Sequence, residues 1–335
     1  MNPQVSIIIP MYNVQAYVGE CLQSLLRQTD GDFEVIAVDD GSTDGTLDLA
    51  RKLTAGDGRF RFFHQENQGQ SAARNFAIDQ ACGDYMLFLD ADDYYRDDAL
   101  QVLREAACAQ DLDYLDFTAK TFYETGDLKR NRKDDYDERP PIPGVFTGQQ
   151  LFVEYQKRKS YYCSPCMHYF KRSLLVDSGL RFDVGHIHED ELFSPLLIAQ
   201  AKRAAYLGEA LYYRRVRGDS SMTQKFGIHN VHGAFTSTQK MEAWLRENAA
   251  TLDPAFVDAM AQRIFEVRDI MTMYVNATPH AELDGYANGL DAQDRISFQM
   301  IRCWSQYLSE LYNSHTFKVG SALMAGPSWL KRHLR

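Results

Sequence analysis

The chain has 335 residues, 45% hydrophobic and 24% charged, which is enough to bury one large core or two smaller ones and excludes general disorder. Its formal net charge of −10 argues against a nucleic-acid-binding surface, which needs clustered Lys and Arg against phosphates. No apolar run approaches the roughly 18 residues that span a bilayer.

The first 110 residues alternate β-branched runs with amphipathic segments, the pattern of strands joined by crossover helices. Strands are predicted at 5–10, 33–38 and 85–89, each apolar on both faces as a buried parallel strand should be. Between them, 16–27 has Tyr17, Val18, Cys21, Leu22, Leu25 and Leu26 at helical spacing. A second helix is predicted over 43–53, behind Ser42 or Thr43 as its cap. The expected fold is therefore α/β: a Rossmann-like, mainly parallel sheet with flanking helices. Ligands of such sheets bind beyond the carboxyl ends of the strands. Those ends carry Pro10-Met11-Tyr12-Asn13, Asp39-Asp40-Gly41-Ser42 and Asp90-Ala91-Asp92-Asp93.

Residues 126–143, dense in Lys, Arg, Asp and Pro, read as an exposed loop over the acceptor site. From 229 to 312 the pattern is helical, with long segments at 234–248 and 255–275. The last 25 residues contain no acid but hold Lys318, Lys331, Arg332, Arg335, Trp329 and Leu330. That composition suits peripheral contact with anionic lipid headgroups, and equally a solvated tail or a packed helix. The division expected is 1–225, 226–315 and a basic tail, 316–335. Neither a basic start nor a cleavage site precedes the first strand, so no secretory signal and a cytoplasmic location are expected. Cys21, Cys82, Cys108, Cys163, Cys166 and Cys303 are too sparse for a disulfide scaffold and read as free thiols. Cys163 and Cys166 with His168 suggest zinc only weakly, because a single CxxC lacks the second half-site.

Acids at a strand end can hold Mn2+ or Mg2+ against a diphosphate, since both ions favour carboxylate, phosphate and water oxygens. Asp90 to Asp93 fit that chemistry, although acidic turns are also common in solvated loops. Asp39 stands nearest its strand, where a carboxylate can accept a hydrogen bond from a base N–H. The residues from Ser42 to Asp44 suffice to cap the next helix.

Together, residues 5–13, 38–46 and 89–93 and the run Asn67-Gln68-Gly69-Gln70-Ser71-Ala72-Ala73-Arg74-Asn75 resemble the family 2 glycosyltransferases of GT-A fold. The resemblance implies that Pro10, Tyr12 and Asn13 line the nucleotide pocket, that Asp39 faces the base, and that Gly69 and Arg74 lie near the donor. Asp90 and Asp92 fall on the family's Asp-x-Asp motif. Asp92 is then the metal ligand, Asp90 supports the ribose or the metal shell, and Asp93 is a further candidate ligand. His188-Glu189-Asp190-Glu191-Leu192-Phe193 looks like the Glu-Asp motif of inverting members, placing the catalytic carboxylates at Glu189 and Asp190 with Asp190 as base. Burial and the neighbouring acids would raise the pKa of Asp190 toward working pH. A bland alternative is an acid cluster complementing a helix N-terminus. Within 213–223, Arg215 and Arg217 are expected on the diphosphate, where a guanidinium donates paired hydrogen bonds, or else on a solvated face. One departure is Cys166-Met167-His168-Tyr169-Phe170-Lys171, where members often carry Trp and Lys before an aromatic-basic pair.

The resemblance covers residues 1 to about 225. It implies an inverting, metal-dependent transfer of a sugar from a nucleoside diphosphate donor, UDP-linked by family expectation, to a hydroxyl of a glycan or lipid-linked glycan in surface polysaccharide synthesis. A sugar nucleotidyltransferase would instead need a Gly-rich basic loop where Pro10-Met11-Tyr12-Asn13 stands. A catalytically inactive nucleotide-sugar-binding homologue would have lost the Asp-x-Asp motif or the base, and both are present here.

Overall fold

The computed structural model describes residues 3–125, 136, 139–218 and 226–313. An eight-stranded mixed sheet runs in the order β3-β2-β1-β4-β7-β6-β8-β5. Its strands are β1 (Val5–Met11), β2 (Phe33–Asp40), β3 (Phe60–Gln65), β4 (Tyr85–Phe88), β5 (Tyr94–Tyr95), β6 (Tyr114–Tyr123), β7 (His168–Lys171) and β8 (Ala204–Val216). The pairs β1–β2, β1–β4, β2–β3 and β6–β8 are parallel, and β7 and β5 pair antiparallel with their neighbours. Every residue of β1 and β2 is buried, so a run such as Ile7-Ile8-Ile9 packs on both faces, each side chain contributing about 2 kcal/mol.

The crossover helices are α1 (Val18–Leu26), α2 (Thr46–Leu53), α3 (Gln70–Gln80) and α4 (Ala99–Gln110). Helix α1 buries Val18, Cys21, Leu22 and Leu25, the stripe its spacing predicts. Helix α2 starts later than expected. Ser42 Oγ accepts from the Asn13 amide and the Thr43 amide donates to Asn13 Oδ1, so both cap candidates are committed to the β1 loop. Asp44 Oδ1 takes the Thr46 amide at 3.0 Å instead.

Beyond these come α5 (Gly148–Arg158), α6 (Ser173–Ser178) and α7 (Glu189–Gln200). Gly148 lets α5 start against the end of α7: a Cβ there would stand 1.6 Å from the Ile198 carbonyl oxygen. The segment 166–171 turns inward: Pro165–Met167 form a 3-10 turn that leads into β7, and Cys166, His168 and Phe170 are fully buried. His168 Nδ1 meets the Tyr114 hydroxyl at 2.7 Å.

Four helices close the described chain: α8 (Ile228–Asn248), α9 (Pro254–Ala277), α10 (His280–Gly289) and α11 (Ala292–Asn313). Two compact units emerge, Met1–Gln224 with Ser237–Ile264, and Lys225–Thr236 with Phe265–Arg335, counting the described residues of each. The helical residues 237–264 go with the sheet because Met241, Leu245, Phe256 and Met260 join its core. The second unit has its own core around Phe235, Met271, Phe298 and Ile301. Among the described residues no helix is long and apolar enough to cross a membrane. Most of the 126–143 loop, residues 219–223 and the basic tail lie outside the described residues.

Candidate functional site

The ends of β1, β2 and β4 form the expected rim, but its residues divide into those that hold loops and those that stay available. Pro10 is buried in β1, and Tyr12 is 49% exposed, its ring open to a ligand. Asn13 adopts φ 50°, and its side chain holds the 42–46 turn through the Thr43 amide at 2.8 Å. Asp40 binds the loop before α3, accepting from the Gln68 and Gly69 amides at 2.9 and 2.8 Å. That fixes Gly69 at the mouth of α3. Asp39, 1% exposed, contacts His64 Nδ1 at 2.7 Å through Oδ2, while its buried Oδ1 accepts no hydrogen bond among the described residues. Such an unmet acceptor costs about 1–3 kcal/mol unless a ligand donates to it.

The three acids after β4 differ in their surroundings. Asp90 Oδ1 accepts from Gln70 Nε2 at 3.0 Å and Arg74 Nη2 at 2.8 Å. Asp92 Oδ2 accepts from Arg217 Nε at 2.9 Å, and its backbone carbonyl accepts from Arg215 Nε at 2.9 Å. Asp93 is buried, with its oxygens taken by the Tyr212 hydroxyl and, at 2.6 Å, by the Arg215 amide. Burial, then the charge of Asp90, pushes the Asp92 carboxyl up. Burial, then Asp92 and Asp90, pushes Asp93 well up. Asp90 and Asp92 thus form a mutually repelling pair that a divalent cation would relieve. Among the described residues no three His, Cys, Asp or Glu converge on one point. The donor set fits an ion held by one or two carboxylates and completed by diphosphate oxygens and water, the usual arrangement for Mg2+ and its relatives. Arg215 also pairs Glu20 and lies over Tyr17 and Phe122, and Arg217 lies 4.8 Å from the centre of the Tyr17 ring.

Arg74 connects these acids to the second motif. Its guanidinium is 3% exposed, bonds Asp90 and, through Nη1, Glu189 at 3.0 Å, and lies 5.0 Å from the Phe182 ring centre. Burial works against its charge, but Asp90 and Glu189 more than offset that and hold it protonated. Helix α7 opens with Glu189, Asp190 and Glu191, where the helix dipole favours anions, after His188 at φ 65°. Burial, then Glu189 and Glu191, pushes the Asp190 carboxyl up from 3.8 to about 7. Its Oδ2 accepts from the Cys163 thiol at 3.3 Å, and Ser194, one turn on, fixes Cys163 by donating to its carbonyl at 2.5 Å. Arg263 of α9 grips Glu191 with Nη2 at 2.6 and 2.5 Å and Nε at 3.0 Å.

Sequence spacing reveals neither the Arg74 bridge nor the roles of Gln70, Cys163, Tyr212 and Arg263. Gln70 lies inside the 67–75 run and Tyr212 beside the 213–223 segment, but nothing in the sequence marks Cys163 as a partner of Asp190 or Arg263 as a partner of Glu191.

The description "Glycosyl transferase family 2" matches residues 6–178. The chain is 31% identical over 256 residues to the putative glycosyltransferase EpsH of Bacillus subtilis, covering 74% of this chain and 70% of that protein. It is 25% identical over 323 residues to the glycosyltransferase GlyA of Streptococcus pneumoniae, covering 93% of this chain but only 42% of that longer protein. Among solved structures, S. aureus TarS 1–349 in complex with UDP-GlcNAc superposes with TM-score 0.61 at 21% identity, over 90% of this chain and 79% of that one. The mannosyltransferase PcManGT of Pyrobaculum calidifontis, in complex with GDP-Man and Mn2+, gives 0.56 at 17% identity, over 97% and 85%. At these identities the two structures speak for the fold. With the family pattern over half its length and the GT-A architecture, the chain belongs to glycosyltransferase family 2 and is a glycosyltransferase.

Proposed function

We propose that the chain is an inverting, metal-dependent glycosyltransferase that moves a sugar from a nucleoside diphosphate, most simply UDP, to a hydroxyl of a glycan or lipid-linked glycan in surface polysaccharide synthesis. The observation that carries this reading is the Arg74 bridge, which joins Asp90 and Glu189, 2.8 and 3.0 Å away, so that the Asp-x-Asp motif and the Glu-Asp motif form one site. A donor diphosphate over Asp90 and Asp92 then presents its sugar toward the mouth of α7. The TarS and PcManGT complexes, with UDP-GlcNAc and with GDP-Man and Mn2+, support a nucleotide-sugar donor here.

In this reading Asp39 Oδ1 receives a base N–H, Tyr12 offers its open face to the nucleotide, and Asn13 and Gly69 shape the pocket through the turns they hold. When bound, Mn2+ or Mg2+ on Asp92 and Asp90 supplies positive charge that stabilises the diphosphate as it leaves. Asp93, with both oxygens engaged, braces the Asp92 turn rather than ligating. Arg215 and Arg217 exchange their acidic partners for phosphate oxygens. Asp190 takes the proton of the acceptor hydroxyl, a role that suits a carboxyl titrating near 7. The acceptor oxygen attacks the anomeric carbon from the face opposite the leaving group, which inverts the configuration. Glu189 acts through Arg74 and is a positioning residue. The basic tail, with Trp329, would hold the enzyme against anionic lipid on the cytoplasmic membrane face.

The test is nucleoside diphosphate release from UDP-, GDP- and dTDP-sugars with and without Mn2+. One donor should be consumed, and Asp92→Ala should lower its turnover at least about 100-fold, as loss of transition-state charge stabilisation does. Near wild-type turnover in Asp92→Ala, or equal rates in a chelator, would overturn the metal role.

A further inference from the structure

The acidic triplet at the start of α7 is bracketed. Glu189 is tied to Arg74 from the donor side, and Glu191 is tied to Arg263 from α9, a helix whose first turns, up to Ile264, belong to the same compact unit as the sheet. Both glutamates are 9% exposed, and the Arg263 and Glu191 side chains are 12% and 11% exposed. Asp190 lies between them and is bonded by no cation among the described residues; its contacts are the Cys163 thiol and the Glu191 amide at 3.0 Å. Arg263 also lies 5.3 Å from the centre of the Tyr161 ring, two residues from Cys163. We infer that Arg263 is a positioning residue for the base: it neutralises Glu191, fixes the outer side of the bracket, and leaves Asp190 as the single carboxylate of the triplet free to accept a proton. This rests on the reading of Asp190 as base.

The physical reason is charge balance. Three adjacent carboxylates cannot all stay ionised in a recessed pocket without counter-charge, because like charges at this range disfavour ionisation. Arg74 and Arg263 supply two cations for these three acids and Asp90, Arg74 being shared between Asp90 and Glu189 and Arg263 holding Glu191, all through charge-assisted bonds. The groups facing Asp190 are then Glu189 and Glu191 on its own helix, Arg74 on α3, and Tyr161 and Cys163 on the segment before β7, with Arg263 of α9 reaching this cluster through Glu191, Tyr161 and Cys163. Arg263 lies beyond the residues 6–178 that match the family description, so the helical part of the chain completes the site.

The experiment is the pH profile of kcat/KM for wild type, R263Q, R263K, E191Q, the E191Q/R263Q double variant and D190N, with the donor found above. R263Q, which strands Glu191 as an uncompensated anion, should move the acidic limb up by about half to one unit. R263K should return most of that shift. E191Q should move the limb down, and the double variant, with both charges gone, should keep the wild-type melting temperature more closely than R263Q and place its limb below that of R263Q. Limbs of R263Q and E191Q that coincide with wild type, with only kcat scaled, would overturn the inference. A D190N variant that keeps wild-type activity would instead overturn the reading of the base, so the two failures are distinguishable.

Discussion

Asp190→Asn should remove activity and yet make the folded chain more stable above neutral pH. Burial and two glutamates raise the Asp190 carboxyl from 3.8 to about 7, so the folded state holds this proton far more tightly than the unfolded chain does. Between about pH 4 and pH 7 the folded state carries the extra proton, and this group's contribution to stability declines as pH rises, reaching its full cost above about 7. A shift of that size corresponds to at most about 4 kcal/mol, at about 1.4 kcal/mol per unit. Partial exposure of Asp190 and relaxation around it reduce this to about 1–3 kcal/mol, or roughly 1–4 °C in melting temperature for a chain of this size. Asparagine keeps the shape and the acceptor for the Cys163 thiol but carries no charge. Melting curves of both proteins from about pH 4 to about pH 8 should lie close together at the acid end and diverge toward the alkaline end, the variant melting higher. A difference independent of pH, or a variant less stable at about pH 8, would refute this electrostatic view of the site.

Two further outcomes follow from the packing. Arg74→Met leaves Asp90 and Glu189 without their cation and should cost about 3 kcal/mol in a denaturant melt, the lower end for a broken buried pair because the Asp90 side chain is 31% exposed. Pairing it with Glu189→Gln should recover part of that loss, and a cost below about 1 kcal/mol for the single change would contradict the bridge. Gly148→Ala sets a methyl 1.6 Å from the Ile198 carbonyl, so α5 and α7 must part. It should cost more than about 3 kcal/mol, and a variant within about 1 kcal/mol of wild type would contradict that contact.

Strands β1, β2 and β4 are legible in the sequence because they are apolar on both faces, and the acids at their ends follow from where ligands bind in such sheets. The other half of the sheet is not. Strand β7 has four residues and β5 two, while β8 exposes Gly208 and Glu209 and pairs with β6 through irregular register, so neither alternation nor a long apolar run marks them. Helix α3 carries Gln70 and Asn75, whose polarity serves Asp90 and the Phe182 loop rather than a periodic face. At the site, resemblance names the acids but not their partners. Arg74 and Glu189 are 115 residues apart, and Arg263 and Glu191 are 72 apart, distances that only the fold closes. Asn13 and Asp93 show the converse: both stand in motif positions, yet Asn13 Oδ1 is spent on the 42–46 turn and both Asp93 oxygens on β8, on the Tyr212 hydroxyl and the Arg215 amide.

The most direct test of single displacement with Asp190 as base is proton NMR of the sugar in the first product formed from the accepted donor, read before any free sugar can mutarotate. Inverted configuration at the anomeric carbon, with no product from Asp190→Asn, is the expected result; retained configuration would contradict the mechanism whatever the donor proves to be.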